Sequence, residues 1–242
     1  MRREKITIGS FVHVYNRGNR KQEIIRQSKD RWHFLEMLYY FNTNSSTGRP
    51  FRDLKKTEME RSNLSKQGRN PFVWPGIWPS RKPIVKIMAF CLMPNHFHLF
   101  LKEIVEGGVS IFMKKLGNGM TGYFNLKHKE TGRLFQGPYK MKRIDEEMYF
   151  KYLSVYIQVK NVFELYPGGY EKAVQEFDKA YEWAIKYPYG SLADYAGKRN
   201  SPIIDKDVLG ELFSSPEEYK EFARQCLEEI DLDEKLSKFR LE

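Results

Sequence analysis

Cysteine is almost absent from this sequence, whose 242 residues include only Cys91 and Cys226. Two thiols far apart in the chain indicate neither a disulfide framework nor a cysteine-based zinc cluster, so a reducing, cytoplasmic setting is expected. Also missing is an apolar run of roughly 18 residues, the length that a membrane-spanning helix needs. The first residues do not lead into the apolar block of a secretory signal. We therefore expect no membrane partner.

Acidic residues are comparatively few. The 31 aspartates and glutamates are outnumbered by 41 lysines and arginines, which gives a formal net charge of +10. Such an excess favours a polyanionic partner, either a nucleic acid or an acidic membrane surface, although composition alone does not decide between them. Hydrophobic residues make up 41% of the chain and aromatic residues 15%, which is enough to bury a core.

The spacing of apolar residues predicts strands and helices in alternation. Strands are predicted at residues 10–16, 84–92, 96–102 and 139–143, and helices at 28–42, 110–127 and 145–163. Ser28 or Asp30 is available to cap the first helix. Residues 43–83 are rich in polar residues, glycine and proline and are predicted to be an insertion. Residues 166–242 are predicted to be a mostly helical C-terminal extension.

Two histidines stand in one predicted strand as His96-Phe97-His98. Because strand side chains alternate between faces, His96 and His98 lie together on one face, at a separation that would let them share one cation. The pattern alone is weak, since a histidine pair is more often structural and satisfied by backbone carbonyls. A closed zinc site would need four ligands, which the two cysteines do not supply.

The last predicted helix presents Tyr149, Tyr152, Tyr156 and Lys160 on neighbouring turns, because residues three and four apart share a helix face. Tyrosines at this spacing more often pack against a core than act as nucleophiles. Considered separately, neither the histidines nor the tyrosines decide the function.

Together these segments resemble a known family. Residues 90–101 read FCLMPNHFHLFL and closely resemble the signature of the HUH-endonuclease transposases with one catalytic tyrosine, in their REP-associated branch. Three further stretches, at 12–18, 132–140 and 152–158, are similar to the first strand and turn, the basic segment and the tyrosine helix of that family, in the same order. The resemblance covers roughly residues 6–225 apart from the insertion.

The resemblance implies an α+β fold, ferredoxin-like or RRM-like, with an antiparallel sheet, helices packed on one face, a helical C-terminal tail and a metal on the open face. It implies a catalytic domain over residues 1–165. Tyr156 would attack a phosphate and form a 5′-phosphotyrosine link, with Mn²⁺ or Mg²⁺ bound by His96 and His98. The DNA would be single-stranded or a hairpin with single-stranded flanks.

One position departs from the family pattern. The family places a metal-binding asparagine four residues after its tyrosine, where this chain has Lys160, a side chain with three donors and no acceptor. Asn161, one residue further, becomes the expected third ligand if the helix unwinds slightly; Gln158 or a water is an alternative. Lys160 itself could contact the scissile phosphate.

Other residues are expected to support the site. His13 and Asn16 on the neighbouring strand are predicted to orient His96 or His98. Contacts to DNA phosphates are expected from basic residues, which bind with little sequence preference: Arg17, Arg20, Lys21, Arg133, Lys140, Lys142 and Arg143. Phe135 or Trp74 could stack on bases, but core packing is favoured for both.

The functional prediction is a metal-dependent, single-strand DNA nicking and joining enzyme, a cytoplasmic and nucleoid-associated transposase that acts as a monomer or homodimer. One alternative is a domesticated hairpin-DNA-binding protein with weak or lost cleavage, which Lys160 favours. Another is an unrelated metal-dependent phosphodiesterase or RNA-binding sheet protein, although no RNA-binding aromatic stripe is evident.

Overall fold

The computed structural model describes residues 6–44 and 81–228. Most of the predicted insertion, including Trp74, lies outside the described residues, as does the end of the predicted tail. Within the described helices, none is both long enough and apolar enough to cross a membrane.

A four-stranded antiparallel sheet forms the centre of the fold, with the strand order β2-β3-β1-β4. The strands are β1 (Phe11–Arg17), β2 (Val85–Leu92), β3 (His96–Glu103) and β4 (Lys140–Ile144), and the helices between them are α1 (Ser28–Tyr40) and α2 (Gly108–His128). This order of elements and strands is that of a ferredoxin-like sheet, and the predicted fold class is confirmed. The predicted boundaries agree within a few residues.

One face of the sheet packs against α1 and α2. Phe97, Leu99 and Leu101 alternate along β3 and are buried there in one cluster with Phe34 of α1 and Phe112 of α2. Because successive strand residues face opposite sides, this burial directs His96, His98 and Phe100 to the other face.

The start of α1 is held by Asp30, although not as the N-cap. The cap is Gln27, and Asp30 occupies the third helical position, where its carboxylate accepts hydrogen bonds from the backbone N–H groups of Arg26 and Gln27. The carboxylate also forms an ion pair with Lys127 at the end of α2. Burial alone would raise the pKa of Asp30, but the Lys127 ammonium and the backbone N–H groups hold it below its usual value.

The C-terminal part of the described chain is helical. The segments are α3 (Glu147–Val155), a π-helical turn (Tyr156–Lys160), α4 (Asn161–Phe163), α5 (Gly169–Gln175), α6 (Phe177–Ile185), α7 (Leu192–Tyr195), α8 (Asp207–Glu211) and α9 (Pro216–Glu228). The helix predicted from Asp145 therefore begins at Glu147, while the Asp145 carboxylate accepts a hydrogen bond from Arg143.

These C-terminal helices form a second layer on the opposite face of the sheet. Met88 and Phe100 of the sheet lie in one buried cluster with Ile157, Tyr181 and Tyr219. Helices therefore cover more of the sheet than the single face predicted. The physical reason is visible in β2, which is apolar at every position except Lys86, as expected for a strand buried on both faces.

The outer edge of β2 is also covered. Backbone hydrogen bonds join the Leu92 N–H to the Tyr189 carbonyl, at 2.9 Å, and the Ser191 N–H to the Phe90 carbonyl, at 3.0 Å. Gly190 forms an antiparallel bridge with Cys91 between them. The division predicted between residues 165 and 166 stays a prediction, but both sides of it share one buried cluster.

Candidate active site

His96 and His98 lie side by side on the face of β3 that points away from α1 and α2. Their ring centroids are 5.1 Å apart, with the ring planes at 89°. His98 is buried, whereas His96 is partly exposed. The pair therefore forms one cluster that is accessible at its His96 end.

His98 is supported by β1. The Nε2 atom of His13 lies 2.9 Å from Nδ1 of His98, and one of these atoms donates to the other. Tyr15 stands directly opposite His98 in the strand pairing, with its ring stacked 5.6 Å away. The sequence pattern singled out His13 but not Tyr15. Tyr15 could have been predicted from its position two residues after His13, which places it on the same face of the strand.

His96 is supported by its neighbour in sequence. Its Nδ1 atom lies 2.7 Å from Oδ1 of Asn95. The Asn95 amide in turn donates to the Lys21 carbonyl, and its backbone carbonyl accepts from Gly18. Asn95 was predicted only as part of a turn, yet it connects His96 to the turn that follows β1.

The expectation that Asn16 orients a histidine is wrong in this geometry. Asn16 alternates with His13 and Tyr15 along β1 and therefore faces the other side of the sheet. Its amide donates to the Gly137 carbonyl at 3.1 Å, and its Oδ1 accepts from the Arg17 N–H. Asn16 thus fixes the segment before β4.

Tyr156 approaches the histidines from the helical layer. Its ring is edge-on to His98 at a centroid distance of 5.4 Å, and it lies 6.3 Å from the His13 ring. Tyr152, four residues earlier, instead stacks against Phe222 of α9 at 5.9 Å. Of these two tyrosines, Tyr156 is the one that the fold brings to the histidine pair.

The helix changes its hydrogen-bonding pattern at Tyr156. Over the π-helical turn the Tyr156 carbonyl accepts from the backbone N–H of Asn161, five residues on, and also from the Asn161 side-chain amide at 2.9 Å. A π turn accommodates one more residue than an α-helical turn. Asn161, which is buried, thereby stands one helical turn beyond Tyr156 with its amide group oriented by that bond.

Lys160 remains close to Tyr156. Its Nζ atom lies 5.3 Å from the Tyr156 ring centroid and 3.3 Å from Oε1 of Glu164. A positive charge therefore lies beside the tyrosine ring.

Both polar atoms of the Gln158 side chain are hydrogen-bonded to other residues, so Gln158 does not fit the alternative role of third ligand. Its Nε2 donates to the Tyr219 hydroxyl at 3.1 Å, and its Oε1 accepts from the Ser191 hydroxyl at 3.0 Å. Gln158 is fully buried and connects the π-helical turn to the C-terminal helices.

The predicted basic residues that lie in strands divide between the two faces of the sheet. Lys140 and Lys142 pair with Tyr15 and His13 across the sheet and so share the face of the histidines. Arg143 pairs with Val12 on the other face. Arg17 stands opposite His96, and its buried Nε has no hydrogen-bond partner among the described protein atoms. Phe135 is buried in the core, as favoured from the sequence.

The donor set limits how a metal ion could be held. Within residues 6–44 and 81–228, no three His, Cys, Asp or Glu side chains are grouped so as to hold a metal ion. With His96 and His98 as the imidazole ligands, amide and water oxygens could complete the set among the described residues, a mixture that suits Mn²⁺ better than Zn²⁺.

The family model described as "Transposase IS200 like" matches residues 80–160. This match confirms the predicted transposase resemblance over residues 80–160, whereas the REP-associated branch stays a prediction. The IS200-like segment contains His96, His98 and Tyr156 and ends at Lys160, so His13 and Asn161 lie outside it. No curated protein matches the chain.

A solved structure is also similar to the chain: "Structure of the REP associates tyrosine transposase bound to a REP hairpin". It has 12% sequence identity, covers 84% of this chain and 88% of that chain, and gives a TM-score of 0.42. At this identity and TM-score, no property of that protein is transferred to this chain.

Proposed function

We propose that the protein is a metal-dependent endonuclease and strand transferase for single-stranded, hairpin-flanked DNA, with Tyr156 as the nucleophile. The observation that carries the proposal is the position of the Tyr156 ring, 5.4 Å from His98 in a cluster that also contains His96 and His13. A phenol beside two imidazoles that could share a cation suits phosphoryl transfer to tyrosine.

His96 and His98 are proposed to bind Mn²⁺ or Mg²⁺ through Nε2, because Nδ1 of each ring is engaged with Asn95 or His13. A ligating histidine usually donates its other N–H to a supporting acceptor, which assigns His13 the acceptor role toward His98. When bound, the cation would neutralise charge on a non-bridging phosphate oxygen.

Asn161 is proposed as the third protein ligand. Its Nδ2 is committed to the Tyr156 carbonyl, which leaves Oδ1 as the acceptor atom of the side chain. The family pattern places this ligand four residues after the tyrosine, whereas Asn161 follows Tyr156 by five. The π-helical turn offers a physical reason for this difference, because it contains one more residue than an α-helical turn.

In the proposed reaction a phosphate of the DNA exchanges its bond to a 3′ oxygen for a bond to Tyr156. The Tyr156 phenol loses its proton and its oxygen attacks the phosphorus, so a tyrosine–phosphate bond forms while the bond to the 3′ oxygen breaks. The leaving 3′ oxygen takes up a proton. Because the phosphotyrosine link retains the bond energy, attack by a 3′-hydroxyl can rejoin DNA without ATP.

The lysines near the site are proposed to hold phosphates. Lys140 and Lys142 share the histidine face, and Lys160 lies beside Tyr156. Such contacts fix the position of the strand and carry little sequence information. The catalytic unit proposed for residues 1–165 would depend on the helices that follow, since both contribute to one core.

A second candidate is a hairpin-DNA-binding protein with weak or lost cleavage. The observation that favours it is the position of Lys160. This residue forms an ion pair with Glu164 and immediately precedes Asn161, the proposed third ligand. A cation close to the third ligand would weaken metal binding by charge repulsion.

A cleavage assay distinguishes the two candidates. Labelled hairpin DNA with single-stranded flanks would be incubated with Mn²⁺ or Mg²⁺ and protein, and covalent adducts resolved on denaturing gels. We expect an adduct with wild type and with the control Tyr152→Phe, but none with Tyr156→Phe. Binding without any adduct would favour the second candidate, and loss of the adduct in Tyr152→Phe alone would show that the nucleophile is misassigned.

A further inference from the structure

A cleft of about 830 Å³ lies between α2 and the segment that precedes β4. Its lining includes Phe97, Phe135 and Tyr139, together with Lys114, Asn118 and Arg133. Of these, Lys114, Asn118 and Arg133 are exposed, whereas Phe97 and Phe135 are buried. The cleft thus combines an aromatic floor with a basic and polar rim.

The cleft is close to the candidate active site but on the other face of the sheet. Phe97 lies in its floor, and the adjacent residues His96 and His98 point to the opposite side. The wall segment is fixed to the end of β1, because the Gln136 N–H donates to the Arg17 carbonyl and Gly18 bridges Phe135. Only the thickness of the sheet separates the cleft from the histidines.

Two lysines of the edge strand lie on the histidine side of the passage between the two places. Lys140 and Lys142 lie on the histidine face of β4, and Tyr139, which lines the cleft, immediately precedes this strand. A polyanionic chain held by these lysines would reach the cleft by crossing the edge of the sheet at the start of β4.

We propose that this cleft binds an unpaired nucleotide of the DNA strand that reaches Tyr156. The inference rests on the proposed function and adds a subsite for single-stranded DNA. Aromatic side chains stack on any base, and a basic rim holds the backbone. Tyr139, which is partly exposed, would supply the stacking contact, and Lys114 and Arg133 would hold the backbone. Asn118 would meet the polar edge of the base.

The lining of the cleft includes a glycine at which a side chain can begin without a close contact. At Gly117, which lines it, an added Cβ would meet no atom within 4 Å. The same is true of Gly122 on the same helix, which does not line the cleft. Gly117→Phe therefore blocks the proposed subsite, and Gly122→Phe is the matched control.

The test measures equilibrium binding without metal, in EDTA, by fluorescence anisotropy. The probes are a hairpin with mixed-sequence single-stranded flanks and the same hairpin without flanks. We expect Gly117→Phe to weaken binding of the flanked hairpin by about tenfold or more, with no change for the bare hairpin, whereas Gly122→Phe changes neither. Unchanged binding of the flanked probe by Gly117→Phe would overturn the inference.

A second measurement covers the case in which Gly117→Phe does not fold. Wild-type protein would be photo-crosslinked to the flanked hairpin carrying 5-iodouracil in its flanks, and the linked peptides mapped. Crosslinks at Tyr139 or at another residue that lines the cleft support the subsite, and crosslinks found only elsewhere contradict it. Because neither measurement requires cleavage, an absent Tyr156 adduct with a positive binding result would reject the proposed enzyme and leave the subsite standing.

Discussion

The bond between Gln158 and Tyr219 offers a test of how the C-terminal helices hold the candidate nucleophile. In Tyr219→Phe the hydroxyl that accepts from Gln158 Nε2 is removed, and the buried amide loses a partner. An unsatisfied buried donor costs about 1–3 kcal/mol. For a chain of this size each kcal/mol lowers the melting temperature by about 2–4 °C. We therefore expect a decrease of roughly 2–12 °C.

Tyr181→Phe is the matched control for this prediction. Tyr181 belongs to the same buried cluster as Tyr219, but its hydroxyl has no hydrogen-bond partner among the described residues. Its removal is expected to leave the melting temperature unchanged or raise it.

Thermal unfolding by circular dichroism and adduct formation would be measured on both variants. Tyr219→Phe should also slow adduct formation at temperatures where it is still folded, because the π-helical turn that carries Tyr156 loses an anchor. Equal melting temperatures for the two variants would refute the proposed anchoring.

Three further predictions concern the site and its support. His13→Ala is expected to reduce cleavage and Mn²⁺ affinity by about 10–100-fold, measured by gel assay and titration calorimetry, whereas an equally large loss in Asn16→Ala would contradict the assignment of His13. Asn161→Ala is expected to weaken Mn²⁺ binding, followed by electron paramagnetic resonance, and Lys160→Ala to leave it unchanged or strengthen it; the reverse order would reject Asn161 as ligand. Asp30→Asn is expected to lower the free energy of unfolding by about 2 kcal/mol at neutral pH. The pKa of Asp30 in the folded protein lies below its usual 3.8, so the stabilisation by its carboxylate is present above pH 3.8 and is lost as the pH falls through the folded value. The free energies of unfolding of the two proteins, measured in urea, should therefore converge in acid. A difference that stays constant with pH would argue against the ion pair.

The sheet and the histidine pair were predictable because their signals are local. Alternation along residues 96–102 determines which side chains share a face, and a one-residue error would have exchanged the faces of Phe97 and His98. The positions of the strands followed from short apolar runs for the same reason. The strand order required the family resemblance as well, because pairing joins residues far apart in sequence.

The supporting contacts were less accessible from the sequence. Asn16 and Asn95 are both asparagines at strand ends, and only the register shows that Asn16 faces away from the histidines while Asn95 reaches His96. Gln158 looked like a spare ligand on the tyrosine helix. Its partners, Ser191 and Tyr219, lie 33 and 61 residues away, and no local pattern indicates such contacts.

The strand-like segment at Tyr189 to Ser191 has a consequence for assembly. It occupies the Phe90 to Leu92 part of the outer border of β2. Among the described strands, two copies could therefore extend a common sheet more readily through β4, which pairs with β1 on its inner side. Such a junction would bring Lys140 and Lys142 of both copies together. Their mutual repulsion would oppose association of the bare protein, while a nucleic acid strand along the seam would relieve it.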